Sequence, residues 1–153
     1  MRRLNLNDPE FTYEPDDPEG FRAGRFRLAL GAKDTGASLY ELPPRQAICP
    51  YHYEYGEEEW ALVIAGHPTL RTPEGEHRLD PMDTVFFPKG AEGAHLLRND
   101  TDEPVQVLMW STIVHPSATA YPDSGKVGVW VEDRSENLMV ERRHDVPYYH
   151  GEV

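Results

Sequence analysis

Short apolar or alternating runs, each closed by a turn signal, recur every 8 to 12 residues along most of this chain, and that rhythm constrains the fold more than any other feature. The runs are Phe26 to Leu30, Ala37 to Leu42, Ile48 to Tyr55, Glu59 to Ala65, Thr69 to Arg71, His77 to Leu79, Thr84 to Phe87, Ala94 to Arg98 and Val105 to Thr112. Pro73-Glu74-Gly75, Asp80-Pro81, Pro88-Lys89-Gly90 and Asn99-Asp100 separate the later ones. Fourteen prolines and twelve glycines are spread rather than clustered, so a helical period has no room to run through this region. The expectation is an all-β barrel or sandwich with little helix.

With 153 residues the chain has the length of one domain and can bury a sizeable core without staples. Its segments read as an irregular arm over 1–25, a barrel over 26–114 and an extension over 115–153 packed on the barrel. In the extension, Lys126 to Val131 is an expected strand and a polar tail follows. No internal repeat or low-complexity segment stands out.

A single cysteine, Cys49, excludes a disulfide framework and every Cys-rich zinc module, and it reads as a small buried apolar group. Against 15 Lys and Arg stand 27 Asp and Glu, a formal net charge of −12, which repels phosphate backbones. Nucleic acid is therefore not an expected partner. The longest aliphatic run, Ala61 to Ala65, is too short to span a bilayer, and no leader-like apolar segment follows Met1. These points predict a cytoplasmic protein with no membrane partner.

Residues two apart on a strand share a face, so His52 and Glu54 can reach one point together. Glu59 opens an alternating strand whose same-face partners are Ala61, Val63 and Ala65, which places its carboxylate at the mouth of an apolar interior. His95 shares a face with Leu97 and Asn99 by the same count. Four candidate ligands, His52, Glu54, Glu59 and His95, thus come from three strands. Two imidazoles and two carboxylates suit one divalent metal of intermediate softness: Fe, Mn, Zn or Ni. Should Glu54 stay off the ion, the other three form a 2-His-1-carboxylate set with open positions, and Glu54 becomes a candidate catalytic general base.

The remaining histidines, His67, His77, His115, His144 and His150, match no motif and read as surface or hydrogen-bonded residues. Gly66, Pro73, Gly75, Pro88 and Gly90 read as turn residues, and Asp123-Ser124-Gly125-Lys126 as a turn rather than a phosphate cradle. Tyr51, Tyr53, Phe86, Phe87, Met109 and Trp110 could line a pocket but as a group read as barrel core.

The spacing His52-Tyr53-Glu54, four residues, Glu59, six residues, Gly66 resembles the first motif of the cupin family, and Pro88-Lys89-Gly90, His95 and Asn99 resemble its second. The likeness extends from Ala37 to Thr112. Four departures stand out: Glu54 occupies the place of a second histidine, Arg45 and Gln46 that of a glycine, and Met82 that of the glycine in a Gly-Asp turn, while the gap from Gly90 to His95 is longer. Residues 49–54 and 121–126 look like one group of small bacterial cupins of largely undefined activity. The resemblance implies a double-stranded β-helix, or jelly roll, and commonly a homodimer, which exposed edge strands also favour.

Three readings of function follow. The foremost is a barrel holding one divalent metal and acting on a small organic molecule, as an isomerase or lyase through polarisation of an oxygen, or as a dioxygenase. The second is a non-catalytic module that binds a sugar or organic acid, with structural metal or none. A structural or storage role has less to recommend it, because it does not call for inward polar residues at motif spacing.

Overall fold

A computed structural model describes residues 1–13, 21–143 and 145–152. Pro15, Pro18 and Gly20 of the arm, and His144, lie outside the described residues. The architecture is all-β: β1 (Gly24–Arg27), β2 (Thr35–Leu42), β3 (Tyr53–Glu54), β4 (Glu59–Ala65), β5 (Thr69–Thr72), β6 (Gly75–Arg78), β7 (Thr84–Phe87), β8 (Leu96–Arg98), β9 (Val105–Thr112), β10 (Ser117–Tyr121), β11 (Lys126–Trp130) and β12 (Leu138–Glu141). Helix is confined, among the described residues, to two short 3-10 turns at Ala91–Gly93 and Arg134–Glu136. No helix is long and apolar enough to cross a membrane.

The strands form three antiparallel sheets, ordered β1-β2-β9-β4-β7, β12-β11-β10-β3 and β6-β5-β8. In the largest, β2 pairs with β9 along its whole length and β9 with β4, so residues directly opposite one another share a face. One inward row runs Ser38, Met109, Ala61, Val85, and the row beside it runs Gly36, Ser111, Glu59, Phe87. Register thereby sets Glu59 at the end of a wall that is otherwise uncharged, apolar but for Ser38 and Ser111. Ala61 and Val63 are fully buried as alternation expects. A β-bulge between Val63 and Ala65 then shifts the register, and Ala65 ends exposed.

Leu42, Ala61, Val63, Leu70, Leu79, Phe87, Leu97, Val105 and Val107 form the core. Fully burying one such leucine or valine contributes about 1.5–3 kcal/mol relative to leaving it in water. Phe86 departs from the expected core: it is 47% exposed and packs on the outer face against Trp60, ring centroids 4.8 Å apart. Adjacent strand residues must face opposite ways, and the pairing of Glu59 with Phe87 gives the interior to Phe87.

The strand expected from Ile48 to Tyr55 is mostly a broken ladder. Arg45 and Ile48 donate backbone N–H bonds to Asn99 and Leu97, His52 pairs with His95, and only Tyr53–Glu54 is regular strand. Pro50, with no N–H to give, interrupts the run. The chain beyond Val114 is more regular than its composition suggests. Strands β10, β11 and β12 form a meander in which Thr119 and Ala120 pair with Glu54 and Tyr53. Arg71 of β5 clasps this meander from the neighbouring sheet, with two hydrogen bonds to Asp123 of 2.6 and 2.9 Å and its guanidinium 4.0 Å from the Tyr51 ring centroid.

Candidate metal centre

His52 and His95 face each other across a two-residue bridge, each backbone N–H donating to the other's carbonyl at 3.1 and 2.8 Å. Both imidazoles are then aimed the same way. Nδ1 of His52 lies 2.9 Å from the Pro50 carbonyl and Nδ1 of His95 lies 2.9 Å from that of Gly93. A carbonyl can only accept, so each Nδ1 carries the proton and each Nε2 presents a lone pair. Fixing the tautomer through the other ring nitrogen is how metal-binding histidines are usually oriented.

Glu59 completes the cluster. Its Oε2 lies 3.6 Å from Nε2 of His95 and 3.8 Å from Nε2 of His52, and one donor atom from each of the three residues falls within 4.8 Å of the others. Oε2 of Glu59 and Nε2 of His95 are buried with no hydrogen-bond partner. An orphaned buried polar atom costs about 1–3 kcal/mol, and here two point at the same small space. Neutral nitrogens and a carboxylate oxygen around that space fit a divalent cation.

Burial dominates the electrostatics. It raises the Glu59 carboxyl to about 7, with Glu54 and Glu57 adding to the effect and His52 opposing it. It lowers His95 to about 3, helped by His52 and opposed by the Gly93 carbonyl. Both groups are thus biased toward their neutral forms when no cation compensates.

Glu54 stands at the edge of this group. One of its oxygens is 3.8 Å from Nε2 of His52, and both lie within hydrogen-bond distance of Thr119 Oγ1, at 2.8 and 2.7 Å. The Thr119 hydroxyl in turn accepts from the Trp130 indole N–H at 2.6 Å, so its one proton is directed at the carboxylate. Burial raises the Glu54 carboxyl, with Thr119 and His52 pulling it back. Sequence reasoning missed Thr119 and Trp130. Strand periodicity carries no sign of them, because β10 and β11 reach the site only through the pairing of β10 with β3.

A cavity of about 240 Å³ opens onto His52 and Glu59, with Ser38, Tyr40, Cys49 and Trp110 in its wall. Cys49 is half-buried rather than fully buried, its thiol pushed up by desolvation and by Glu59 and Glu54, and its Sγ is 3.5 Å from His52 Nδ1. A second cavity, of about 700 Å³, opens onto Glu54. Asn99, the last motif residue, is fully buried away from the cluster. Its amide donates to the carbonyls of Leu42 and Glu103, and its Oδ1 accepts from Thr101.

The family model described as a cupin domain matches residues 38–111, the stretch that carries all four candidate residues. Residues 38–111 are a cupin domain. Among solved structures, a protein called sugar phosphate isomerase from Silicibacter pomeroyi is 24% identical, with a TM-score of 0.81 over 92% of this chain and 93% of that one. A putative sugar phosphate isomerase from Acidithiobacillus ferrooxidans is 25% identical, with a TM-score of 0.72 over 81% of each chain. The polyketide cyclase RemF from Streptomyces resistomycificus is 19% identical, with a TM-score of 0.62 over 76% of this chain and 83% of that one. No curated protein matches.

Two departures of this cupin from its family's motifs have a structural counterpart. Arg45 and Met82, which stand where glycines are expected, are the two described non-glycine residues with positive φ, 65° and 73°. The backbone at both positions adopts the conformation that glycine serves. Gly66 and Gly90, retained from the motifs, have φ of 79° and 82°.

Proposed function

We propose that this cupin holds one divalent metal on His52, Glu59 and His95 and rearranges a small organic molecule at the barrel mouth, with Glu54 as the general base. The reading rests on one observation above the rest: buried, unpartnered Nε2 of His95 and Oε2 of Glu59 converge on a space that Nε2 of His52 also faces. When bound, an ion there supplies Lewis-acid polarisation of a substrate oxygen. Fe, Mn, Zn and Ni all suit the donor set.

The residues themselves do the rest. His52 and His95, locked by the Pro50 and Gly93 carbonyls, hold neutral nitrogens in place without reorganisation. Thr119, itself oriented by Trp130, keeps both Glu54 oxygens turned to one side and delivers one hydrogen bond to the carboxylate. Its burial raises the affinity of Glu54 for a proton, which suits a base that takes a proton from carbon and returns it to a neighbouring atom. Isomerisation is the reaction class that asks for this, and the names of two similar structures, sugar phosphate isomerases, favour it over a lyase or an oxidative step.

We further propose a cytoplasmic homodimer formed through the outer face of the largest sheet, where Trp60 stacks on Trp110 at 6.0 Å and Phe86 stands exposed beside them. The deciding experiment for the function is metal content by mass spectrometry of untagged protein, wild type beside Glu54→Ala and His95→Ala. About one equivalent in wild type and Glu54→Ala, lost in His95→Ala, fits the proposal. Loss in Glu54→Ala as well makes that residue a ligand instead.

A further inference from the structure

The cavity that opens onto Glu54 holds the charges least expected in a chain of net charge −12. Its wall includes Arg27 from the end of β1, His115 from the β9–β10 connection and Arg134 from the 3-10 turn after β11. The arginines that form ion pairs among the described residues are Arg45, Arg71, Arg98, Arg142 and Arg143. Neither Arg27 nor Arg134 has a carboxylate partner among the described residues. Asp133, the nearest acid in sequence to Arg134, is occupied elsewhere: its carboxylate accepts from the Ser135 N–H at 3.0 Å and the Ser135 hydroxyl at 2.7 Å. Asn137, also in the wall, accepts from the Val131 N–H at 3.0 Å, which leaves its NH2 group as the end free to donate.

The acids of the same wall are Glu54 and Glu57, and Glu57 is held by an N–H bond from Val114 at 3.1 Å. The cavity therefore joins the candidate base to a set of guanidinium and amide donors that have no acceptors of their own among the described residues. An arginine fork matches a phosphate or carboxylate group in shape as well as charge. At about 700 Å³ the space takes a molecule of sugar size, with room for its anionic end and its reacting end together.

We propose that the cavity selects an anionic small molecule, a phosphate monoester or a carboxylate, whose charged group sits on Arg27 and Arg134 while the rest extends toward Glu54. This deepens the metal-isomerase reading and rests on it for the identity of the reacting end. Specificity would then reside in β1 and in the segment after β11, away from the three metal donors.

The test is calorimetric titration of the full-length, metal-loaded protein with glycerol phosphate, glycerate, inorganic phosphate and neutral glycerol, for wild type, Arg27→Gln/Arg134→Gln and Arg134→Gln. The expected result is binding of at least one anion but not of glycerol, weakened about tenfold to a hundredfold for each arginine replaced. Glycerol phosphate against glycerate tells which anion the fork takes. Metal content is read on every sample, and the arginine variants should keep the wild-type stoichiometry. Anion binding that survives the double substitution, or no anion binding to wild type at millimolar concentration, overturns the subsite while leaving the metal centre standing. Absence of metal in wild type together with arginine-dependent anion binding keeps the subsite and sinks the metal reading.

Discussion

Phe87 lies flat on the imidazole of His95, ring centroids 3.7 Å apart and planes tilted by only 10°. The phenyl ring closes one face of the histidine to water, which is part of why burial holds it neutral and its Nε2 unprotonated. His95→Ala should therefore lose the metal outright. Phe87→Leu should fold and bind metal, yet exchange it faster against a chelator because water reaches the imidazole. Equal exchange rates for Phe87→Leu and wild type would show that the ring serves packing alone.

Met82 sits at the third position of the turn Asp80-Pro81-Met82-Asp83, where Asp83 N–H donates to the Asp80 carbonyl at 3.0 Å. Its φ of 73° is one that glycine adopts freely and methionine at a cost of about 1–2 kcal/mol. The side chain is 71% exposed, so little packing opposes its removal. Met82→Gly should stabilise by up to about 1 kcal/mol once glycine's greater unfolded freedom is subtracted, raising Tm by roughly 2–4 °C. Arg45→Gly should gain nothing, because Arg45 spends its guanidinium on the Asp100 carbonyl and, at 2.8 Å, on Asp102. Melting curves of the two variants decide it.

Asn99 carries a family motif position but ties together the loop from Asn99 to Glu103 and the end of β2. Asn99→Ala leaves the carbonyl of Leu42 buried without its donor and should cost roughly 2–4 kcal/mol in denaturant unfolding. Folded Asn99→Ala should still take up one equivalent of metal. Normal stability with lost metal would reverse this assignment.

The Arg71–Asp123 clasp gives a pH dependence with a definite sign. Arg71 holds the Asp123 carboxyl below its usual range. A carboxylate depressed on folding contributes stability that is fully present above its unfolded value, about 3.9, and lost as pH falls through the folded value. The pair is largely exposed, so its contribution stays below about 1 kcal/mol. The difference in Tm between wild type and Asp123→Asn should accordingly be small and constant near neutrality and vanish in acid. A difference that grows on acidification would contradict the clasp.

The outer-face dimer makes a simpler forecast. Light scattering should give twice the chain mass for wild type, and Trp60→Glu, which places a charge among Trp110 and Phe86, should give the monomer. A monomeric wild type at micromolar concentration removes the proposal.

The three residues that the structure brings together, His52, Glu59 and His95, were legible as candidate donors because each depends on a local rule. Alternation set the inward face of Glu59, and the spacing of His52 and of His95 from retained turn glycines matched a known pattern. One further signal was present and unused: each histidine follows by two residues the carbonyl that fixes its ring, Pro50 for one and Gly93 for the other. Strand β3 was over-read because Ile48 to Tyr55 is apolar enough for a full strand, while Pro50 breaks its ladder. Thr119 lay beyond reach for a different reason. Its partner Glu54 is 65 residues away, and the two-residue strand that joins them has no period to detect.

That long-range pairing divides the labour of the barrel unevenly. All three candidate donors lie within 38–111, whereas the threonine that hydrogen-bonds Glu54, the indole behind it and Arg134 arrive on the meander after Val114. The meander can be pictured as an interchangeable faceplate. Grafting a different one onto the same barrel would leave the three candidate donors untouched while resetting the surroundings of Glu54 and part of the wall it faces, so new substrates could evolve by exchange of one contiguous stretch.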